Sequence, residues 1–267
     1  MKPEIDYISI NKNSWNKKTP HHLVSDFYDV PAFVEGKNSL KDIELTLLGD
    51  IKGKSILHLQ CHFGQDSISL SRLGAHVTGV DLSDESIKAA KELAKNCNAS
   101  CEFICCNIYE LEQYIDKKFD IVFTSYGTIG WLPDLQKWAN IIANCLQPNG
   151  QFIFVEFHPV VWMFDEQFEK ISYPYLNSGP IAETYTGTYA DKSADLTQEY
   201  VMWNHGIGEV LSSLINANLK ITSFEEFDYS PYNCFNKTNE FEKGKYRIST
   251  LENRIPMVYA LSASKNK

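Results

Sequence analysis

Short apolar runs and spaced apolar stripes alternate along most of this chain. Ile56, Leu57 and Leu59 form a run that predicts a buried strand. Ile68, Leu70 and Leu73 follow at helical spacing and stop at Gly74. A second strand, from Val77, ends on an acid, Asp81. Ser83 is placed to cap the next helix, with Asp84 and Glu85 in its positive first turn, Lys91 and Lys95 late, and Ile87, Ala90 and Ala94 inward. A third strand is expected over 102–107 and a fourth over 119–124. Asp134 caps a helix carried by Leu135, Trp138, Ile142 and Cys145. Residues 147–150, Gln-Pro-Asn-Gly, read as a turn. The fifth strand, over 151–157, is almost continuously apolar, as in a parallel sheet buried on both faces.

Two segments break this rhythm. In residues 1–50, Leu40, Ile43, Leu47 and Leu48 fit one helical face stopped by Gly49, but Trp15-Asn16, His21-His22 and Phe27-Tyr28 show no clear period. They read equally as a clasp packed on the domain or as a lid over a site. Residues 159–200 are rich in Tyr, Pro, Gly and Thr and read as an insertion. A helix over 208–217 and strands over 219–227 and 256–263 close the chain. The expected organisation is an N-terminal cap over 1–50 and one α/β domain over 51–267, with an insertion at about 159–205.

Composition narrows the partners. With 34 acids against 25 basic residues the formal charge is −9, and no dense basic block is present, which argues against nucleic acid. No apolar run reaches the ~20 residues of a membrane span, and the N-terminus shows no signal-peptide pattern, so a cytoplasmic protein without membrane association is expected. Of seven cysteines, Cys97, Cys101, Cys105 and Cys106 cluster in sequence, but no paired Cys-x-x-Cys units occur. Small buried hydrophobes in a reducing compartment are expected, and no metal. The sequence does not specify an oligomeric state.

The chemistry concentrates in the run from Ser55 to Asp81. Strand, tight turn, helix, strand and terminal acid form the layout that binds the adenosine half of a cofactor, with Asp81 able to accept both ribose hydroxyls. A dinucleotide needs Gly-x-Gly-x-x-Gly, whereas the turn Gln60-Cys-His-Phe-Gly64 carries one glycine. S-adenosylmethionine has no pyrophosphate and makes no such demand.

On these residues the chain resembles the class I S-adenosylmethionine-dependent methyltransferases. Their pattern at this turn is (Asp/Glu)-x-Gly-x-Gly-x-Gly after an apolar strand; aligned on Gly64 it falls on His58, Gln60, His62 and Gly64, without the acid and two of the glycines. The run Leu57-His-Leu-Gln-Cys-His-Phe-Gly-Gln-Asp66 is similar to a bacterial subgroup of uncharacterised methyltransferases, together with Asp26-Phe-Tyr-Asp29, Trp131-Leu-Pro-Asp134, Glu156-Phe-His-Pro159 and Trp203-Asn-His-Gly206. The resemblance implies a Rossmann-like α/β fold: a mostly parallel seven-stranded sheet with a reversed C-terminal hairpin. It also implies S-adenosyl-L-methionine as cofactor and methyl transfer to an unidentified small molecule. Gln60, Cys61, His62 and Gly64 would hold the methionine end through backbone groups. Asp81 would take the ribose, Leu82 would pack on adenine, and Asn107 and Ile108 would face its amino edge. Thr124, Ser125 and Tyr126 would stand where the fourth strand delivers the reacting centre.

His62 is placed to reach the methionine carboxylate or to be a hydrogen-bonded turn residue, and Asp66 to cap a helix or to contact the cofactor's ammonium. Glu156 and His158, two apart, point to one side of the fifth strand; His158 is the first candidate for a base, with Glu156 orienting it and Tyr126 beside the reacting atoms. His205 reads as part of a helix cap or of an acceptor pocket. Trp15, His21, Tyr28, Tyr126, Trp131 and His158 are expected to line one cavity. Two other readings stay open: an NAD-dependent oxidoreductase, and a non-catalytic S-adenosylmethionine-binding protein.

Overall fold

The computed structural model describes residues 5–266; the part of the N-terminal reading that falls on residues 1–4 lies outside them. In chain order the elements are helices α1 (Tyr7–Leu23), α2 (Val30–Val34) and α3 (Asp42–Leu48), then β1 (Ser55–Leu59), α4 (Gln65–Arg72), β2 (His76–Asp81), α5 (Asp84–Asn96) and β3 (Cys101–Cys105). There follow β4 (Phe119–Ser125), α6 (Leu135–Cys145), β5 (Leu146–Phe157), β6 (Ile181–Thr186) and β7 (Thr197–Met202). The chain ends with α7 (Ile207–Asn216), β8 (Leu219–Phe227), β9 (Thr238–Glu242), β10 (Lys245–Ile248) and β11 (Val258–Lys265). The main sheet has seven strands in the order β3-β2-β1-β4-β5-β11-β8. β11 runs antiparallel to both β5 and β8, so the last strand is the reversed one, as expected. β6–β7 and β9–β10 are separate two-stranded ribbons.

Two compact units divide the chain. The first joins the described part of Met1–Leu40 to Ile51–Lys117 and Pro180–Met202. Its strands β1 and β2 are parallel, with Leu57 opposite Thr78, and β3 pairs with β2 in the same sense. Cys61, Phe63, Ile68, Ile87, Ala90, Leu93 and Phe103 form a core beneath them. α5 forms as its sequence dictates: Ser83 Oγ accepts the Ser86 N–H, and Ile87, Ala90 and Ala94 are buried.

α1 was not foreseen. Its buried face is polar, made of Asn11, Ser14, Lys18, Thr19 and His22, so no apolar period announces it. That face is held by specific bonds: Asn11 exchanges two 2.8 Å hydrogen bonds with the backbone of Val201 on β7, and Ser14 reaches Gln198. A buried polar face is stable only when its groups are paired in this way.

The second unit joins Lys41–Asp50, Lys118–Gly179 and the described part of Trp203–Lys267. α3 ends at Gly49 (φ 58°) as expected. Phe157, Val161, Phe168, Phe235, Ile248 and Met257 form its second core with Ile43 of α3, and Trp138 of α6 packs edge-on against Phe152 and Phe154 of β5. The expected turn at 147–150 lies inside β5 as an irregularity: Phe119 pairs with Leu146 and Ile121 with Gln151, and Asn149 takes a φ of 62°. The third strand stops at Cys105, earlier than expected, because Asn107 caps the short helical turn that follows.

Candidate functional site

In the first unit, the turn after β1 places Gln60, His62 and Gly64 at φ 54°, 50° and 81°. All three positions that carry glycine in the methyltransferase pattern are therefore left-handed, although two hold side chains. A non-glycine residue pays about 1–2 kcal/mol for that conformation, so the surroundings must hold it. At His62 they do so from three sides. Its N–H donates to Asp81 Oδ2 at 2.8 Å, its Nδ1 lies 3.0 Å from Ser86 Oγ, and its Nε2 lies 2.8 Å from His22 Nδ1. The rings of Trp15, Tyr28 and Phe63 contact its imidazole. Gly64 is required on two counts: its φ is positive, and a Cβ there would stand 2.8 Å from the Phe103 ring.

The N–H groups of Cys61, His62 and Gly64 donate to Val80 O, Asp81 and Cys61 O respectively. Those three amides are committed inside the protein, so a ligand at this turn meets side chains and acceptors there. His58, at the position of the pattern's acid, is buried with Nδ1 2.7 Å from Ser67 Oγ, and burial lowers its pKa to about 4. Asp81 receives His62 N–H on one oxygen and Ser83 N–H, at 2.9 Å, on the other. Burial raises its pKa to about 6 against the pull of these donors. Each carboxylate oxygen keeps lone-pair capacity, which fits a ribose diol. Leu82 follows it half-buried and Ile108 is buried. Asn107 already accepts the Tyr109 N–H at 3.1 Å, so its first duty is capping. Asp66 accepts from Ser39 Oγ at 2.6 Å in the first turn of α4.

In the second unit, Ser125 ends β4 and Tyr126 follows at φ 44°. Tyr126 donates its hydroxyl to the buried carboxylate of Glu44 at 2.8 Å, and its ring meets Tyr232 and Phe157. Glu156 accepts the N–H groups of Gly127, Thr128, Ile129 and Phe157 and the Thr128 hydroxyl. The expected pairing of Glu156 with His158 does not form, because this carboxylate is used to shape the loop after β4; burial raises its pKa against those donors.

His158 meets Glu226 instead, Nε2 to Oε1 at 2.8 Å, while Nδ1 accepts the Val160 N–H at 3.2 Å. An Nδ1 that accepts places the ring proton on Nε2, so His158 has no spare lone pair to act as a base. Burial also lowers its pKa despite Glu226. Trp131 donates to Gly127 O, and His205 bonds Leu132 O and stands 3.0 Å from Glu209. Of the six residues expected to line one cavity, Trp15, His21 and Tyr28 belong to the first unit and Tyr126, Trp131 and His158 to the second.

Sequence reasoning gave His22 no role, nor Lys18, Ser86, Glu44 or Glu226. The available signal was the spacing of Asn11, Ser14, Lys18 and His22, a polar stripe at helical period.

Residues 57–154 match the methyltransferase domain family. The seven-stranded order with its reversed last strand agrees with that match. That segment of the chain carries a methyltransferase domain. Among curated relatives, the ubiquinone biosynthesis O-methyltransferase of Coxiella burnetii is 31% identical over 143 residues, 52% of this chain and 55% of that protein. The chain spans about half the length of the first such relatives it matches. An S-adenosylmethionine-dependent methyltransferase of Mesorhizobium loti superposes with a TM-score of 0.57 at 18% identity, covering 87% of this chain and 100% of that one. The [4+2]-cyclase SpnF gives 0.60 at 14% identity, covering 96% of each chain. These two likenesses establish the fold, which hosts more than one reaction. No helix among the described residues is long and apolar enough to cross a membrane, and no metal-binding cluster is found among them.

Proposed function

We propose that this chain transfers the methyl group of S-adenosylmethionine to a small-molecule acceptor. The observation that carries the reading is the 60–64 turn, left-handed at all three glycine positions of the pattern and tied to Asp81. Bound there, S-adenosylmethionine supplies a methyl carbon already activated by its sulfonium charge. Asp81 accepts the ribose hydroxyls, Leu82 and Ile108 pack the adenine, and Asn107 meets its edge. Gln60, Cys61, His62 and Gly64 border the methionine end. Ser125 and Tyr126, in the second unit, are the residues proposed to serve the acceptor.

The work left to the protein is alignment and exclusion of water. Glu156 and Tyr126 serve it by shaping the segment after β4, and none of Tyr126, Glu156 and His158 supplies a base. The relatives' names make an oxygen acceptor the first class to screen. The charge of −9 disfavours nucleic acid, and seven free cysteines suit a reducing cytoplasm.

Thermal unfolding tests the cofactor. S-adenosylhomocysteine at 100 times its Kd should add about 2.7 kcal/mol of stability, with no shift from NADH; the reverse result overturns the assignment. Asp81→Ala should weaken S-adenosylhomocysteine binding by roughly 1.5–3 kcal/mol. Methyl transfer in an acceptor screen then separates an enzyme from a non-catalytic binding protein.

A further inference from the structure

Both oxygens of Asp81 trace back through hydrogen bonds to α1. Oδ1 accepts the Ser83 N–H at 2.9 Å and Oδ2 the His62 N–H at 2.8 Å. The side chain of each donor residue is in turn bonded to the helix. Ser83 Oγ donates to Asn16 Oδ1 at 2.6 Å, and His62 Nε2 lies 2.8 Å from His22 Nδ1. A second path from His62 runs through Ser86 Oγ, 3.0 Å from Nδ1, to Thr19 Oγ1 at 2.7 Å. Asn16, Thr19 and His22 follow one another at steps of three, so they lie along one side of α1. All these residues belong to the first unit.

The Asn16 end of this arrangement has a fixed chemistry. The Asp84 carboxylate can only accept, so the Asn16 amide turns its NH₂ to Asp84 Oδ1, at 3.0 Å, and its oxygen to Ser83. Lys12, one turn earlier on α1, meets the same Asp84 oxygen at 2.9 Å. Capping α5 uses a lone pair of Ser83 Oγ, which accepts the Ser86 N–H at 3.0 Å. The cap does not need the hydroxyl proton, and a residue of α1 holds it. With lone pair and proton both engaged, the Ser83 side chain is fixed, and so is the backbone N–H that it shares with Asp81.

That matters for a ligand because Asp81 is half-buried and keeps part of its surface open. A hydrogen bond weakens steeply as its angle closes from linear. A carboxylate that takes two neighbouring hydroxyls therefore depends on which way its plane is turned.

We propose that Asn16 is a positioning residue for the cofactor's ribose: through Ser83 it fixes the plane of the Asp81 carboxylate, and so couples the docking of α1 to ribose binding. The proposal rests on the S-adenosylmethionine reading above. Because such coupling is reciprocal, a ribose on Asp81 holds α1 in place by the same factor as α1 improves the ribose site.

Calorimetry with S-adenosylhomocysteine and its 2′,3′-dideoxy analogue, which lacks both ribose hydroxyls, tests it on the intact chain and on Asn16→Ala. The intact protein should prefer S-adenosylhomocysteine by about 10- to 100-fold. In Asn16→Ala that preference should shrink by about five- to tenfold, with affinity for the dideoxy analogue within about twofold of the intact protein's. A purely structural role for Asn16 would weaken both ligands alike, so a preference retained in full overturns the proposal. An intact protein that binds the two ligands equally also overturns it, and the cofactor reading survives both results. An intact protein that binds neither overturns both readings. Hydrogen exchange on the intact chain does not depend on the variant folding. Saturating S-adenosylhomocysteine should slow the α1 amides from Asn16 to His22 by about fivefold or more, and the dideoxy analogue by less than about twofold. Exchange unmoved by S-adenosylhomocysteine, or slowed equally by the analogue, overturns the proposal.

Discussion

Asp81 and His62 are joined through the backbone, the acid at the end of β2 accepting at 2.8 Å the N–H of a left-handed residue in the turn after β1. The same carboxylate accepts the Ser83 N–H that leads into α5. One side chain therefore sets the turn, the start of a helix and the acceptor for ribose. Truncating it is felt in all three.

The charge on Asp81 makes both stability and binding depend on pH, with opposite signs. Its folded pKa, about 6, lies above the unfolded value. The ligand-free chain therefore holds an extra proton between about pH 4 and 6, and this group's favourable contribution is complete below pH 4 and lost as pH rises through 6. Because Asp81 is partly exposed, the change is about 1–3 kcal/mol. Binding runs the other way: S-adenosylhomocysteine affinity should be level above pH 7 and fall below 6, as the ionised acceptor disappears. Calorimetric titration from pH 5 to 8, repeated on Asp81→Ala, checks this; an unchanged profile in the variant would assign the titration elsewhere.

His62→Gly relieves the left-handed strain yet should destabilise. The relief is about 1 kcal/mol, while the change strips the buried His22 Nδ1 and Ser86 Oγ of partners and removes three ring contacts. A net loss of about 1–3 kcal/mol is expected in urea unfolding. A more stable variant would show that the side-chain bonds contribute little.

Gly64→Ala should be severe, since φ is 81° and the new methyl would stand 2.8 Å from the Phe103 ring and 3.0 Å from Ala90 Cβ. A loss of about 2–4 kcal/mol follows from strain and overpacking together. Adding Phe103→Leu should restore part of it by removing ring atoms. If the double variant unfolds no later than the single one, backbone strain accounts for the whole cost.

Glu156→Gln tests whether this residue shapes the loop or drives proton transfer. An amide has one accepting oxygen where the carboxylate has two, and its NH₂ would face N–H donors now held by Glu156. Stability should fall by about 2–4 kcal/mol. The pH dependence of any methyl transfer should keep its shape; a displaced limb would restore Glu156 to the chemistry.

How much of this was legible follows the range of each interaction. β1, β2, α5, α6 and the apolar part of β5 were readable because their apolar period and caps are local, as Ser83 and Asp134 show. The Asp81 position was readable for the same reason: it lies at the end of an apolar run. α1 was not, because its buried residues are polar and their partners, such as Val201 for Asn11, lie 190 positions away. Glu156 and His158 were expected as a pair at the end of β5 and do not pair, since spacing fixes a face and not a partner. Glu156 is drawn to four backbone N–H groups and a hydroxyl, and His158 to Glu226 on β8.

The sequence by itself determined the order of strands and helices from β1 to β5, the acid at the end of β2 and the kind of cofactor that order suits. These depend on periodicity and on the conformational preferences of neighbouring residues. Only the tertiary structure decided that Gln60 and His62 take glycine's conformation, and that His22 closes a hydrogen-bond chain on the turn. A left-handed side chain is disfavoured in isolation; it persists where bonds from distant segments, here Asp81, Ser86 and His22, outweigh its cost.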